Sequence, residues 1–245
     1  MTGRLDRALA LLEERHRTDP AHPNSLEYHR SLAHFVQHLS PPGHPPSEAL
    51  VLAANAQHVQ RWHRPRQDYP DGLAGYKMWR TALNKYHADI LHEVMRSAGY
   101  DDSTEKDAPL FERTRDLLLK RTLQRPPLPK DVSLLKDPEA HLFEDAICLT
   151  FLARDFANFA AEYQPPPAST TTSSLSSTPS AESPATAAPR AGGLDKLGTI
   201  VSRTWAKMTV QGRQVAVREL VGTLDPALQK VVVDAVTACE RAENS

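Results

Sequence analysis

The sequence predicts an all-α protein, folded as an irregular or orthogonal helical bundle. Apolar residues recur at the three- and four-residue spacing of an amphipathic helix along most of the chain. Start and stop signals separate these stretches: Asp137–Pro138–Glu139 is typical of a helix start, and Gly99 is typical of a helix end. No stretch shows the alternating pattern of a β-strand. These three observations together favour helices throughout.

The same signals place the individual elements. We expect helices near the N-terminus, at 26–39, from 47 through 62, at 73–97, at 107–123, from 137 onwards, and at 195–209, 211–222 and 225–241. Residues 164–193 are rich in Ser, Thr, Pro and Ala without any periodicity, which predicts a disordered insertion, either passive or regulated by phosphorylation. The predicted organisation is a helical core at 1–163, this linker, and C-terminal helices at 194–245 that pack on the same core.

The composition excludes several classes of protein. The 245 residues include 29 basic and 30 acidic side chains, whereas a general polyanion binder would carry a large basic excess. No apolar run approaches the roughly 20 residues that span a bilayer, and no signal-peptide pattern is present. Cys148 and Cys239 form no disulfide framework. We therefore expect a soluble protein of the cytoplasm, or alternatively of the nucleus, without a membrane partner.

A first candidate site lies between the third and fourth predicted helices. Its residues are His58, Arg61, Trp62, Arg64, Arg66 and Tyr69. The first three follow the spacing of one helical face. The arginines form a dense cluster around a proline that restricts the backbone. Because a guanidinium group can bind phosphate or carboxylate with two hydrogen bonds, this cluster predicts an anion clamp.

The fourth predicted helix carries a line of polar residues. Tyr76, Arg80, Asn84 and His87 follow each other at spacings that place them on one side of a helix. We expect the opposite side to pack inward through Met78, Leu83, Ile90 and Val94. The helix would then present a polar side to a ligand.

A pair of acidic residues, Glu144 and Asp145, directly precedes an apolar run. Carboxylates close to a core need a cationic partner or a metal. His141 lies one helical turn before Asp145, so these two residues could ligate a metal from one face. The alternative is a purely structural ion pair with Arg61 or Arg80.

Much of this sequence resembles the family of the domain of unknown function 4202, which occurs in bacteria and fungi. The residues that carry the resemblance are Ala56, His58, Arg61, Trp62, Pro65, Arg66, Tyr69, Pro70, Gly75, Tyr76, Trp79, Arg80, Leu83, His87 and Ala88, then Phe143, Glu144 and Asp145, and finally Thr204, Trp205, Lys207 and Met208. The resemblance implies an all-helical fold but no established activity. The linker at 164–193 looks like an insertion into the family pattern.

A weaker likeness is to HD-domain metal-dependent phosphohydrolases, which implies an HD-like arrangement of helices. In this reading, His58, His87 and Asp145 would bind a divalent metal, and Glu144 would assist. The adjacent His-Asp pair that defines that group is absent, because Ala88 follows His87.

We therefore hypothesise a cation-rich pocket for a phosphorylated or nucleotide-like small molecule, with metal-dependent hydrolysis as the associated reaction. Glu144 and His87 are the candidate catalytic residues. The candidate substrate-binding residues are Arg61, Arg66, Tyr69, Tyr76, Arg80, Asn84 and Lys207. Two alternatives stay open: a non-enzymatic module that binds RNA or an acidic partner through its aromatic residues, and a structural polar network. The sequence leaves the oligomeric state open.

Overall fold

A computed structural model describes residues 3–20, 25–161 and 193–243. The α-helices are α1 (Arg4–Arg17), α2 (Ser25–Leu39), α3 (Glu48–Ala56), α4 (Gly72–Ala98), α5 (Ala108–Leu119), α6 (Pro138–Thr150), α7 (Phe156–Ala161), α8 (Gly193–Lys207), α9 (Val210–Val215) and α10 (Pro226–Glu243). A π-helical turn joins α6 to α7 at Phe151–Asp155, and another follows α9 at Ala216–Leu220. No β-strand occurs in these described ranges. The all-α prediction is confirmed.

Helix α3 lies at the centre of the N-terminal bundle, in contact with α1, α2, α4, α5 and α6. Its sequence explains this position, because Ala53, Ala54 and Ala56 are completely buried and allow neighbouring backbones to come close. Helix α2 packs on α3 and α6, and α4 packs on α1 and α5. The loop from 57 to 71 therefore leaves the centre of the bundle and leads into the longest helix.

Local signals explain most helix ends. The Ser47 hydroxyl caps α3 by accepting a hydrogen bond from the Leu50 amide at 3.1 Å. The Asp137 carboxylate caps α6 through the Ala140 amide at 3.0 Å, with a proline in the first turn. Gly99 ends α4 in the left-handed conformation with φ 98°. The predicted boundaries of α4 are thus confirmed within about one residue.

Two predicted boundaries are wrong. The third helix ends at Ala56 instead of continuing through Trp62. The fifth ends at Leu119, because Lys120 adopts a left-handed conformation with φ 58°. Left-handed residues lie at both ends, in sequences whose composition still favours a helix: Lys120 directly follows α5, whereas an extended Gln57 follows α3 and precedes His58 and Gln60.

The C-terminal helices contact the N-terminal bundle in the described part of the chain. Helix α8 packs on α10, and α6 contacts both α8 and α9. Leu197, Val201 and Trp205 are buried in the same apolar cluster as Phe143 and Leu149. The predicted disordered insertion at 164–193 lies outside the described residues except for its last residue and stays a prediction. None of the helices in the described ranges is both long and apolar enough to cross a membrane.

Candidate functional site

The turn that follows α3 positions the first histidine of the site. His58 has φ 65° and Gln60 has φ 50°, so two non-glycine residues adopt the left-handed conformation in close succession. Such residues cost energy and persist where the surrounding structure holds them in place. The sequence predicted one helical face for His58, Arg61 and Trp62, and this prediction is wrong. The turn instead directs His58 towards α4.

On α4, the line Tyr76, Arg80, Asn84 and His87 occupies one side of a continuous helix, as predicted. The prediction for the other side is wrong in part, because Met78 is 57% exposed. Helix α4 instead buries the side that carries Trp79, Leu83 and His87. The polar line therefore borders the core. Its last residue, His87, is buried, whereas its first residue, Tyr76, is accessible to solvent.

His58 and His87 meet between these two elements. Their ring centroids lie 5.8 Å apart in an edge-to-face arrangement, and the Tyr28 ring stacks on His58 at 5.2 Å. His87 is 1% exposed, and neither of its ring nitrogens has a hydrogen-bond partner among the described residues. A buried imidazole without any partner is rare, because buried polar groups are nearly always hydrogen-bonded. His87 therefore offers an unused donor and an unused acceptor.

A second pair of histidines, His16 and His29, lies beside the first. Their rings stack with centroids 3.5 Å apart, and the Tyr28 ring meets His29 edge-on at 5.1 Å. His16 Nε2 contacts the Asn55 carbonyl at 2.7 Å, and His29 Nε2 contacts the Gln57 carbonyl. These two contacts bind α1 and α2 to the end of α3. The His16–His29 pair therefore has a structural role at the junction of three helices.

The histidines of the site are neutral at physiological pH. Burial lowers the pKa of His87 to about 3, with further contributions from Arg61 and Arg80. Burial and Arg61 hold the pKa of His58 well below its usual value. Burial also lowers the pKa of His29 to about 3. A neutral imidazole can donate one hydrogen bond and accept another, so these residues add polarity without adding charge.

Two arginines supply the positive charge of the site. The Arg61 guanidinium lies 4.9 Å from the centre of the Trp79 ring. Burial and the nearby Arg80 lower the pKa of Arg61, which means that the two cations are close enough to repel each other. Within the described residues, neither guanidinium forms an ion pair. The result is a partly buried concentration of positive charge.

Glu144 lies near Arg80 and forms ion pairs with two lysines. Its carboxylate contacts the Lys120 ammonium group and lies 3.9 Å from that of Lys207. Burial opposes ionisation of Glu144, but Lys120, Lys207 and Arg80 outweigh it and lower the pKa. Glu144 thus lies close to Lys120 and Lys207, and Arg80 of α4 is near enough to contribute to the lowered pKa of its carboxyl group.

Asp145 has a different environment from its neighbour. It accepts hydrogen bonds from the Thr209 amide at 2.8 Å and from the Thr209 hydroxyl at 2.5 Å. Thr209 is in turn the N-cap of α9. Asp145 thus connects α6 to the C-terminal helices. No group of three His, Cys, Asp or Glu residues in the described ranges is placed to hold a metal ion, so the geometry gives no support to the ligand set His58, His87 and Asp145.

Two other predicted binding residues lie apart from the arginines. Arg66 donates hydrogen bonds to the carbonyl of Tyr69 at 2.8 Å and to that of Gly72 at 3.5 Å, so it stabilises its own turn. Tyr69 lines a surface groove with Lys77 and Lys85. These lysines lie roughly 100–180° around α4 from the line that carries Tyr76. The sequential arginines therefore do not point to one place: Arg66 stabilises its own turn, whereas Arg61 lies near Arg80 of α4.

Sequence reasoning missed Tyr28, His29 and Lys120. Tyr28 and His29 are on a helix with apolar residues on one side, and nothing in the spacing distinguishes them from packing residues. Lys120 follows an apolar helix and resembles an ordinary C-terminal cation. Its left-handed backbone is the only local feature that marks it, and that feature is not visible in the sequence.

A family model matches residues 6–179 of this chain. Its description is a domain of unknown function, DUF4202. No curated protein and no solved structure matches. The likeness to HD-domain phosphohydrolases therefore stays a prediction. Because the match includes α1 to α7 with Arg61, Arg80, His58, His87 and Glu144, the chain belongs to the DUF4202 family.

Proposed function

We propose that the site formed by the 57–64 turn and α4 binds a phosphorylated or nucleotide-like small molecule. One observation carries the proposal: Arg61 and Arg80 repel each other beside His87, whose two buried ring nitrogens have no partner among the described residues. An oxyanion at this place would neutralise the positive charge of the arginines and form a hydrogen bond with His87.

A phosphate group fits these residues chemically. Guanidinium groups bind its oxygens through charge-assisted hydrogen bonds, which are stronger than those between neutral groups. A neutral imidazole can add one further hydrogen bond to an oxygen. Tyr76 is 47% exposed and lies next to Trp79, with ring centroids 5.9 Å apart, so it could contact a sugar or base attached to the phosphate.

Hydrolysis of that ligand is the second step of the proposal. Glu144 is ionised and buried next to Arg80, so it could accept a proton from an attacking water. As water attacks the phosphorus, the P–O bond to the leaving group would break and Glu144 would pass its new proton to the leaving oxygen. The neutral His87 carries one ring proton and could donate it in a hydrogen bond to that oxygen. Nothing in this scheme requires a protein-bound metal, and no metal is assigned to the site.

A module that stacks nucleic-acid bases is less well supported. Trp79 is 7% exposed, lies under Arg61, and donates its indole N–H to the Arg64 carbonyl at 2.8 Å. Its ring is therefore not available as a stacking platform. Trp62 and Tyr76 would have to carry such an interaction alone.

Thermal unfolding in the presence of inorganic phosphate, pyrophosphate, AMP, ADP, ATP and a sugar phosphate tests the binding step. We expect at least one of them to raise the Tm of the wild-type chain, because a ligand that binds only the folded state stabilises it. Arg80→Gln should weaken the affinity by about 10- to 100-fold, which corresponds to one charge-assisted hydrogen bond. Lys85→Gln removes a charge from an exposed position on the same helix and serves as the matched control.

The proposal fails if no phosphorylated compound raises the Tm, or if Lys85→Gln weakens binding as much as Arg80→Gln. Release of inorganic phosphate from the bound compound tests the hydrolytic step. His87→Gln and Glu144→Gln should each abolish that release while the ligand still raises the Tm. If wild-type protein binds a compound without converting it, the site is a sensor and the hydrolytic step is refuted.

A further inference from the structure

Trp79 of α4 contacts the turn at 57–64 in two ways. The Arg61 guanidinium lies over its ring, 4.9 Å from the centre, and its indole N–H donates a hydrogen bond to the Arg64 carbonyl at 2.8 Å. Trp79 itself is 7% exposed, so its ring is held in place by the packing of α4. One buried aromatic side chain therefore fixes both the backbone of the turn and the charged end of Arg61.

A second aromatic residue of α4 makes a similar contact. The Arg64 guanidinium lies 5.1 Å from the centre of the Tyr86 ring. Trp79 and Tyr86 are two helical turns apart on α4, which places them within about 20° of each other around the helix axis. The two arginines of the turn thus rest on two aromatic rings from the same side of α4.

The contact with Trp79 keeps Arg61 in a position that its charge disfavours. Burial and the neighbouring Arg80 lower the pKa of Arg61, and Asp155 attracts it less than Arg80 repels it. Repulsion between the two guanidinium groups would drive Arg61 towards solvent, where water screens its charge. The Trp79 ring opposes this movement, because the face of an indole ring attracts a cation.

The hydrogen-bond donors of both guanidinium groups are unused. Neither Arg61 nor Arg80 donates a side-chain hydrogen bond to any residue in the ranges that the structure describes. A guanidinium group that rests on an aromatic ring uses its flat face, whereas its N–H bonds lie in its plane and point outwards. Arg61 is therefore held in place while its donors stay available for a phosphate, which a guanidinium can bind with two parallel hydrogen bonds.

We propose that Trp79 is a positioning residue of the anion site, which holds the Arg61 guanidinium beside Arg80 with its N–H groups directed at a bound phosphate. The inference rests on the proposed function, since the unused donors of Arg61 matter only if an anion binds there. Trp79 contacts no ligand itself and acts through Arg61 and the turn. Its ring face therefore contributes to affinity as well as to stability, which distinguishes it from an ordinary core residue.

Nuclear magnetic resonance of the ligand-free chain tests the position of Arg61 directly. Because Arg61 lies over the indole ring, we expect its Nε–H signal in the wild type to be ordered and shifted upfield by the ring current; Arg61→Lys identifies this signal. Shift and order should be lost in Trp79→Leu and largely retained in Trp79→Phe, which keeps an aromatic face but lacks the indole N–H. A wild-type Arg61 signal as mobile as that of the exposed Arg30 refutes the proposal, even if Trp79→Leu does not fold.

Calorimetric titration of the full chain with pyrophosphate and with ADP tests the consequence for binding. Trp79→Leu should weaken the affinity for the bound compound by about 5- to 30-fold, which corresponds to the loss of one partly buried cation–π contact. Trp79→Phe should restore the affinity to within about threefold of the wild type. Leu83→Val is the matched control, because Leu83 is fully buried one turn further along α4. It should lower the Tm and leave the affinity unchanged.

The positioning role is refuted if Trp79→Leu binds as tightly as the wild type, if Trp79→Phe binds as weakly as Trp79→Leu, or if Leu83→Val loses as much affinity. A loss of affinity in Arg80→Gln without one in Trp79→Leu retains the proposed function and overturns the role of Trp79 alone. If the wild type binds neither compound, the positioning role also fails, whereas the proposed function is then decided by the wider set of phosphorylated compounds.

Discussion

The buried histidines make the stability of this protein dependent on pH. His29 and His87 have a pKa of about 3 in the folded chain, against about 6.5 for an unfolded histidine. Below pH 6.5 the unfolded state therefore binds more protons than the folded state. Stability must fall as the pH is lowered through this range, because protons favour the state that binds more of them.

The size of the effect follows from the two pKa values. Between pH 6 and pH 5, the linkage relation gives a loss of about 1.2 kcal/mol for each such histidine. His87 is the better residue to replace, since neither ring nitrogen has a described partner to lose. We predict that His87→Leu reduces the pH-dependent loss of unfolding free energy by about 1.2 kcal/mol relative to the wild type.

Comparison between variants is essential, because Asp145 acts in the opposite direction. Burial raises the pKa of Asp145 to about 7, so its folded form binds a proton as the pH falls and stabilises the fold. Between pH 6 and pH 5, this gain in stability is about as large as the loss that one buried histidine causes. The free energy of unfolding of the wild type therefore falls less with decreasing pH than the histidines alone would predict. The difference between the wild type and His87→Leu, in contrast, reports the contribution of His87 alone.

Urea denaturation followed by circular dichroism at pH 6 and pH 5, at constant ionic strength, measures these free energies. Leu83→Val is the control, since Leu83 is fully buried one turn earlier on α4 and does not titrate. It should lower stability equally at both pH values. If His87→Leu loses as much stability between the two pH values as the wild type does, His87 is charged in the fold and the description of a neutral site is wrong.

Three further predictions concern the contacts around the site. Gly212→Ala should destabilise the fold by about 1–3 kcal/mol in urea denaturation, because an added Cβ would lie 2.5 Å from the Asp145 carboxyl carbon. Gly198→Ala is the control and should be neutral or stabilising, because an added Cβ there meets nothing within 4 Å. Similar losses of stability in both variants would contradict this explanation. Asp145→Asn should keep an acceptor oxygen for the Thr209 amide but lose the proton-linked gain in stability, so that its free energy of unfolding falls more steeply than that of the wild type from pH 7 to pH 5. Parallel curves would show that Asp145 stays ionised down to pH 5 and would contradict its raised pKa. Arg113→Lys should lower the Tm, because the Arg113 guanidinium donates two hydrogen bonds of 2.5 and 2.8 Å to Asp137 that an ammonium group cannot reproduce. Arg30→Lys is the control and should leave the Tm unchanged, because Arg30 is exposed. An unchanged Tm for Arg113→Lys would mean that a positive charge alone is sufficient at this position.

The fold class and most helix boundaries could be predicted from the sequence, because they depend on neighbouring residues. The capping side chains of Ser47 and Asp137 act within three positions along the chain. Gly99 ends α4 through its own backbone conformation. The side of α4 that carries Tyr76, Arg80, Asn84 and His87 follows from helical geometry alone.

The composition of the site could be predicted only in part. The sequence predicts Arg80, His87 and Glu144 as site residues, since polar residues at regular spacing next to apolar runs are visible in it, and their shared role stays a prediction. The contribution of Arg66 was wrongly expected, because its guanidinium binds backbone carbonyls of its own turn. The neutrality of His87 comes from its burial, which depends on how α4 packs against the other helices.

Local sequence thus determined that the chain forms helices, roughly where they begin and end, and which residues share a side of α4. Only the tertiary structure decided which polar side chains meet. Lys120 reaches Glu144 across 24 positions and Thr209 reaches Asp145 across 64, and both contacts depend on helix crossings that no local pattern encodes. The left-handed turn at His58 is the clearest case, because packing from several helices maintains a backbone conformation that its own sequence disfavours.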